Sequence, residues 1–397
     1  MSDLGLEELF FLKSEAGLQL LAGLAVSQIT ADNHLQIASD LRQQVGAKYA
    51  AAALETTLLR QRGVAKFSQA ANMFFTRAAL EQASAEIVST YRADRFARAG
   101  FKYIADLGCG IGGDSITLSA RARVIGVDWD PVRLAMAQEN VQIYGGGERF
   151  SALQADLLSL SPIAVEALFA DPGRRDESGR RIYSLKQYRP PITFLTPWRE
   201  KVPHQAIKIG PGIDYAEIPA DAEIEFISVR GEVREGVLWF GDLRSRNSRR
   251  ATLLPGRQTL TDESEENLAV SQPKAFLFEP DGAVIRAHLV THLAHKLAAY
   301  KIDSDIAYLT ADEPQETPFA RCFTIDDVMP FQLKRLRQYC RDRNIGRVTI
   351  KKRGSPLDPT VLQSRLRLSG TRECTIFLTK VMGQPTVLIG RPWTNRD

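Results

Sequence analysis

KYIADLGCGIGGD, residues 102–114, is a short apolar run that ends in a glycine-rich turn. Gly108, Gly110 and Gly112 permit positive φ and let backbone approach a ligand closely, and a helix starting after the turn presents unpaired amides. The next apolar run, RVIGVDWD at 123–130, carries Asp128 twenty residues past Gly108. Pro131 then opens a helix, with Leu134, Ala137, Val141 and Tyr144 at helical spacing up to Gly145. Two strand–helix units in succession imply a parallel sheet covered by helices. A carboxylate at the end of the second strand can accept from both hydroxyls of a ribose. The turn therefore reads as the site of a nucleoside-containing cofactor.

Two cofactors compete for it. With Gly113 the turn satisfies GxGxxG, the dinucleotide fingerprint. Asp106, however, would repel a pyrophosphate and suits the positively charged methionine part of S-adenosylmethionine. Further strands are expected at EALFAD (166–171), QAIKIG (205–210), EIEFISV (223–229) and GVLWFG (236–241). The last two are joined by RGEVRE, too short for a parallel crossover, so they should form an antiparallel hairpin ending an otherwise parallel sheet. Asp106, Asp128 and that hairpin favour S-adenosylmethionine.

The flanking sequence divides the 397 residues into three expected parts. Residues 1–98 carry helical signals, the best of them a helix capped by Thr76 with Leu80, Ala83, Ile87 and Tyr91 on one face. Residues 99–262 hold the cofactor domain. The polar, turn-rich stretch 255–273 reads as a linker, and a smaller α/β domain follows at 274–397. In it we expect the strand KAFLF and a helix with Ile285, Leu289, Leu293 and Leu297 on one face. A helix over 329–345, the strand RVTIKK, a helix capped by Asp358 and a hairpin from CTIFLTK to TVLIG should follow. From residue 331 onward there are fifteen Lys/Arg against four Asp/Glu, in a chain whose net charge is only +4. The basicity belongs to one end, which points to a polyanionic partner such as RNA.

Residues 101 to about 241 resemble class I S-adenosylmethionine-dependent methyltransferases. In that family the acidic glycine turn holds the methionine moiety, an acid after the second strand binds the ribose, and one after the third strand lies near the adenine. The resemblance carries those roles to Asp106 with Gly108, Gly110 and Gly112, to Asp128, and to Asp156. GCGIGGDSITLS, VIGVDWDPVRLAMAQENVQIYG and FADPGRR are similar to segments of trimethylguanosine-synthase-like enzymes, and KFSQAANMFFT resembles the helical segment before their catalytic domain. FARCFTIDDVMPFQLKRLRQYCRDRNIGRVTIKKRG resembles the THUMP-like domain of a group of bacterial methyltransferases. The implied fold is a Rossmann-like α/β methyltransferase sheet with an N-terminal helical region and a C-terminal THUMP-like domain.

The resemblance also marks a departure. Methyltransferases acting on nitrogen often carry (D/N)PP followed by an aromatic that stacks on the base. Here Asp171 and Pro172 fit as the catalytic pair, but Gly173 replaces the second proline and Arg174 the aromatic. A guanidinium can stack on a base or clamp a phosphate, so Arg174 and Arg175 are expected to face substrate, the alternative being pairing with surface carboxylates. Lys208 could flank the same pocket, although strand-end lysines are ordinarily solvated.

The resulting expectation is an enzyme that methylates a base nitrogen of structured RNA, tRNA or rRNA, with Lys352 and Arg353 of the basic cluster 347–372 contacting the RNA backbone. The alternatives are a methyltransferase for a small molecule or protein, and an inactive cofactor-binding RNA adaptor. His288, His292 and His295 fall at i, i+4 and i+7, but no further ligand completes a zinc site, and no metal is expected. Cys109 reads as a packing residue. Phe74 and Phe75 either cover the ligand or join the helical region to the sheet. Four widely spaced cysteines, an acidic N-terminus and the lack of an apolar run near the length that spans a bilayer lead us to expect a cytoplasmic protein without membrane contact. Nothing in the sequence assigns an oligomeric state.

Overall fold

The computed structural model describes residues 4–27, 29–30, 32–175, 178–262 and 268–394. The chain divides into two compact units, Met1–Glu223 with Gly236–Ser245, and Ile224–Glu235 with Arg246–Asp397. The first unit opens with helices α1 (Leu6–Lys13), α2 (Glu15–Val26), α3 (His34–Val45), α4 (Ala47–Gly63), α5 (Arg77–Gln82) and α6 (Glu86–Ala99).

Thr76 caps α5, its hydroxyl accepting from the Ala79 amide at 3.2 Å. The single helix expected from Leu80, Ala83, Ile87 and Tyr91 is instead two, α5 and α6. At Ala83 the backbone turns extended, with ψ 139°. The Lys66 ammonium causes the stop by donating to the carbonyls of Leu80, Glu81 and Ala83 at 2.7, 2.9 and 2.8 Å. These are acceptors that a continuing helix would need.

Strands β1 (Tyr103–Leu107), β2 (Arg123–Asp128), β3 (Phe150–Gln154), β4 (Ala167–Ala170) and β5 (His204–Ile209) follow, with helix α7 (Ser115–Ser119) between β1 and β2, α8 (Pro131–Ile143) between β2 and β3, and α9 (Thr196–Lys201) between β4 and β5. Asp130 caps α8 by accepting from the Val132 and Arg133 amides, with Pro131 in the first turn. All five strands are parallel, with β1 between β2 and β4. Every residue of β4 and the last four of β1 are buried, as strands covered on both faces must be. The chain runs from β1 outward to β2 and β3, then returns to the other side of β1 for β4 and β5. The carboxyl ends of β1 and β4 thus flank a topological switch point, where open α/β sheets bind ligands.

The expected hairpin consists of β6 (Glu223–Val229) and β7 (Glu232–Trp239), and β7 runs antiparallel to β5. The sheet continues beyond it, in the order β3-β2-β1-β4-β5-β7-β6-β8-β9. β8 (Arg249–Leu254) is parallel to β6, and β9 (Gln258–Thr261) is antiparallel to β8. The stretch read as a linker therefore begins with a strand, whose polar QTLT hid the fully buried Leu260. Its residues 263–267 lie outside the described residues.

The second unit holds a seven-stranded sheet. Its strands are β10 (Phe276–Pro280), β11 (Tyr300–Lys301), β12 (Leu309–Ala311), β13 (Ala320–Pro330), β14 (Ile345–Lys352), β15 (Arg372–Val381) and β16 (Gln384–Pro392). Helices α10 (Gly282–Arg286) and α11 (Val290–Lys296) replace the one helix expected through Leu289, because His288 takes a positive φ of 55° between them. Helix α12 (Leu333–Asp342) starts later than expected. Residues 327–330 extend β13 and pair with β16, so strand pairing overrides local helical pattern there. Leu336, Tyr339 and Cys340 of α12 and Leu362 and Leu366 of α13 (Pro359–Leu366) pack on Val348, Ile376 and Ile389 of the sheet.

Lys66→Met leaves three carbonyls at the end of α5 without their donor. We expect a loss of about 1–3 kcal/mol in unfolding free energy, read from urea denaturation; an unchanged midpoint and slope would show that water replaces the ammonium without cost.

Candidate active site

Asp106 stands one residue before the end of β1 and is 1% exposed. Its Oδ2 accepts from the Ser115 hydroxyl at 2.5 Å, while Oδ1 is buried without a hydrogen-bond partner among the described residues. Gly108 and Gly112 hold φ of 79° and 83°. A Cβ on Gly108 would lie 3.1 Å from the Asp171 carbonyl oxygen, and one on Gly112 would lie 3.1 Å from the Ala137 Cα. The turn needs glycine at these two positions for conformation and for space. Gly110 donates its amide to Asp128 Oδ2 at 2.9 Å, and the Asp130 amide donates to Oδ1 at 3.0 Å. Asp128 thus fastens the glycine turn to the end of β2, and burial raises its pKa above the ordinary carboxylate value against those amides.

Asp156 follows β3 by two residues, one strand over from Asp128. It is exposed, and its Oδ1 accepts from the Leu158 amide within its own turn. Pro172 is buried. Asp171, the first residue after β4, accepts at Oδ2 from the Lys208 ammonium at 2.6 Å. Lys208 is 3% exposed, a buried ion-pair partner and not the solvated strand-end lysine expected. Its ammonium also donates to Ser84 Oγ at 3.0 Å, and that oxygen accepts from the Arg92 guanidinium at 2.7 Å. Arg92 is itself buried, ion-paired with Asp114 and 4.9 Å over the Phe169 ring.

A chain of contacts thus runs from Asp171 through Lys208, Ser84 and Arg92 to Asp114, beside Asp106. Burial, followed by the charges of Asp114 and Asp171, pushes Asp106 up to about 8, against the opposing effects of Ser115 and Arg92. The sequence reading missed Ser84, Arg92 and Ser115.

The other expected residues distribute as follows. Arg174 lies along Gly210, past the end of β5: a Cβ there would be 3.4 Å from its guanidinium. Arg175 points elsewhere, donating to the Gly179 carbonyl, with Glu81 4.0 Å away. Phe74 and Phe75 are buried, and the Asn140 side chain bonds both backbone groups of Phe74 while donating to the Ile111 carbonyl in the glycine turn. They join the helical region to the sheet. Cys109 is buried and its thiol is pushed well up by desolvation.

In the second unit, Lys351 is ion-paired with Glu279, Lys352 is exposed, and the Arg353 guanidinium lies 5.1 Å from the Tyr308 ring centroid. His288 lies outside the helix that carries His292 and His295. Among the described residues no group of three or more His, Cys, Asp or Glu is arranged to hold a metal, and no single helix is long and apolar enough to cross a membrane.

Three family models match the chain: a domain of unknown function at residues 4–63, an RNA cap guanine-N2 methyltransferase at 101–188, and a THUMP-like domain at 320–392. An S-adenosylmethionine-dependent methyltransferase of Mycobacterium tuberculosis is 34% identical over 358 residues, 85% of this chain and 96% of that protein. The trimethylguanosine synthase of Schizosaccharomyces pombe is 28% identical over 139 residues, 33% of this chain and 55% of that protein. A solved structure from Porphyromonas gingivalis, described as a methyltransferase, shares the fold with a TM-score of 0.75 at 21% identity, covering 93% of this chain and all of that one.

Asp106 also makes stability depend on pH. Its pKa is raised in the folded chain, from 3.8 to about 8, so the folded state holds a proton that the unfolded state releases. The stability this confers is complete below about pH 4 and is lost as pH rises to about 8. Asp106→Asn removes that ionisation and keeps an acceptor for Ser115. We expect its melting temperature, without ligand, to exceed that of the wild type at pH 8, by a margin that shrinks toward pH 4; a margin independent of pH would contradict the assignment.

Proposed function

The chain belongs to the S-adenosylmethionine-dependent methyltransferases, and from that premise we propose that it methylates a base nitrogen of structured RNA, tRNA or rRNA. The observation that carries this reading is Asp171. It stands at the switch point with Oδ2 held by Lys208, leaving Oδ1 to accept from an N–H of the acceptor. Support for RNA comes from the matches to an RNA cap methyltransferase and a THUMP-like domain, together with the basic C-terminal composition.

The residues at the turn fit the cofactor. Asp106 offers a buried, unpartnered carboxylate oxygen suited to an ammonium group. Asp106, Asp114 and Asp171 against Arg92 and Lys208 leave one negative charge when all are ionised, matching a ligand whose ammonium and sulfonium outweigh its carboxylate. Gly108, Gly110 and Gly112 would admit the methionine part, Asp128 would take the ribose hydroxyls on its remaining lone pairs, and Asp156 would approach the adenine.

When bound, S-adenosylmethionine supplies a methyl group already activated by its sulfonium. The protein's task is then alignment more than proton abstraction. Asp171 orients the acceptor nitrogen, Pro172 fixes the backbone beside it, and Arg174 faces the substrate, while Arg175, turned to Gly179 and Glu81, does not. In this reading residues 99–262 perform the transfer, residues 274–397 hold the RNA with Lys352 and Arg353 on its backbone, and residues 1–98 support the site.

Mass spectrometry of nucleosides from cells with and without the gene tests the reading. One methylated base should disappear and return when purified protein, RNA from the deleted strain and S-adenosylmethionine are combined. Unchanged RNA nucleosides, with methyl transfer to protein or small molecules, would overturn it. Asp128→Ala should weaken S-adenosylmethionine binding by about 1–3 kcal/mol in calorimetry, and equal affinity would move the ribose elsewhere. Asp171→Ala should abolish transfer to RNA while the protein still binds the cofactor.

A further inference from the structure

The segment 173–189, which leaves β4 immediately after the Asp171–Pro172 pair, carries six Lys/Arg against two Asp/Glu, with Tyr183 and Tyr188 between them. Basic residues interleaved with aromatics are the composition of surfaces that bind single-stranded nucleic acid.

The structure holds its described residues, 173–175 and 178–189, at several fixed points. Gly173 and Arg189 exchange backbone hydrogen bonds at 2.8 and 2.9 Å, and the Ile182 amide donates to the Arg174 carbonyl at 2.9 Å. On the far side of Tyr183, the Ser184 hydroxyl and the Leu185 amide both donate to the Glu217 carboxylate, at 2.8 and 2.6 Å. Tyr183 is thus pinned from both neighbours, yet its side chain is 58% exposed.

One edge of the ring, at Cδ1 and Cε1, is seated against Gly212. A Cβ on Gly212 would lie 2.7 Å from the ring's Cδ1, so the ring rests where no larger residue fits. Gly212 follows Lys208, the partner of Asp171, by four residues. Gly210, between them, lies against Arg174 and donates its amide to the Tyr188 hydroxyl at 2.9 Å. Register therefore puts Tyr183 and Arg174 along the same carboxyl edge as Asp171. Among the described residues the other exposed aromatics are Phe10, Tyr103, Trp129 and Tyr300. Of these Trp129 follows Asp128, at the β2 side of the switch point.

We propose that Tyr183 is the stacking platform for the acceptor base, standing in for the aromatic missing after Asp171–Pro172, and that Arg174 and Arg181 beside it bind an unpaired stretch of RNA. This rests on the reading of the substrate as RNA. A base must leave its helix, or lie in a loop, to reach a buried reaction centre, and stacking on an aromatic offsets the loss of its neighbours. The arginines add charge that tracks phosphates without selecting sequence.

The test uses the full-length protein, a fluorescent single-stranded oligoribonucleotide of mixed sequence, and RNA from cells lacking the gene. Tyr183→Ala is expected to weaken oligonucleotide binding by about fivefold or more and to raise KM for RNA. Its affinity for S-adenosylmethionine and the salt dependence of its RNA binding should match the wild type. Tyr183→Phe and Tyr183→Trp retain binding. Arg181→Ala lowers the salt slope by about one. Tyr103→Ala, an exposed ring at the amino end of β1, behaves as wild type. If Tyr183→Ala binds and methylates as well as wild type, or if the wild type methylates RNA without binding the oligonucleotide, the platform is overturned and the RNA reading stands. If the wild type neither binds the oligonucleotide nor methylates RNA, both fall.

Discussion

The burial of the Asp106 carboxylate at the switch point constrains much of the surrounding structure. A charge removed from water costs several kcal/mol unless compensated, and here two further acids, Asp114 and Asp171, stand close enough to raise its pKa. Compensation comes from Arg92 and Lys208, buried cations from distant parts of the chain that meet on the hydroxyl of Ser84. This gives a reason for the break between α5 and α6. Ser84 lies outside both helices, where its oxygen takes both cations, and the carbonyls freed by the break go to Lys66. The helical region is therefore part of the electrostatic structure of the site, because α6 carries the arginine that Asp114 requires.

The compensation is incomplete, and the shortfall is informative. Ser115 donates to one oxygen of Asp106, and the other has no hydrogen-bond partner among the described residues. Burial holds the ligand-free carboxyl toward its neutral form near pH 7. A cation arriving at that oxygen would supply the missing partner and favour ionisation. A site that is strained without its ligand and relaxed with it is a common trade of stability for binding. Asp128 shows the opposite arrangement, since both of its oxygens hold amides, so its carboxylate is fixed by backbone.

The glycine turn and strand end of the candidate site were legible because their signals are local. Gly108 and Gly112 are required by their own φ, Asp128 by its place at a strand end, and Pro131 by the helix it starts. The compensating cations were not legible. Arg92 sits on a helix among residues with ordinary helical spacing, and Lys208 ends an apolar strand as many solvated lysines do. Their partners lie 22 and 37 residues away, a pairing that periodicity does not reveal. The α5–α6 break was hidden for a related reason: Leu80, Ala83, Ile87 and Tyr91 fit one helical face, and the side chain that interrupts it comes from Lys66. The hairpin β6–β7 followed from its short connection, whereas β9 was lost because its single buried leucine stands among three polar residues.

The two halves of the site are built differently, and the proposed chemistry accounts for the difference. The sulfonium donor is the same in every turnover, and in the proposed reading strand ends and a buried ionic chain would hold its groups. The acceptor side leaves the sheet at Asp171 and passes onto a basic, partly exposed segment whose fixed points are backbone hydrogen bonds and one carboxylate, Glu217. Between them, Lys208 holds Oδ2 of Asp171, which restricts rotation of the carboxylate and, in the proposed reading, leaves one oxygen for the acceptor. For a methyl group already activated by its sulfonium, a fixed single acceptor oxygen is the more useful device, because orientation of the nitrogen lone pair is what the enzyme must add.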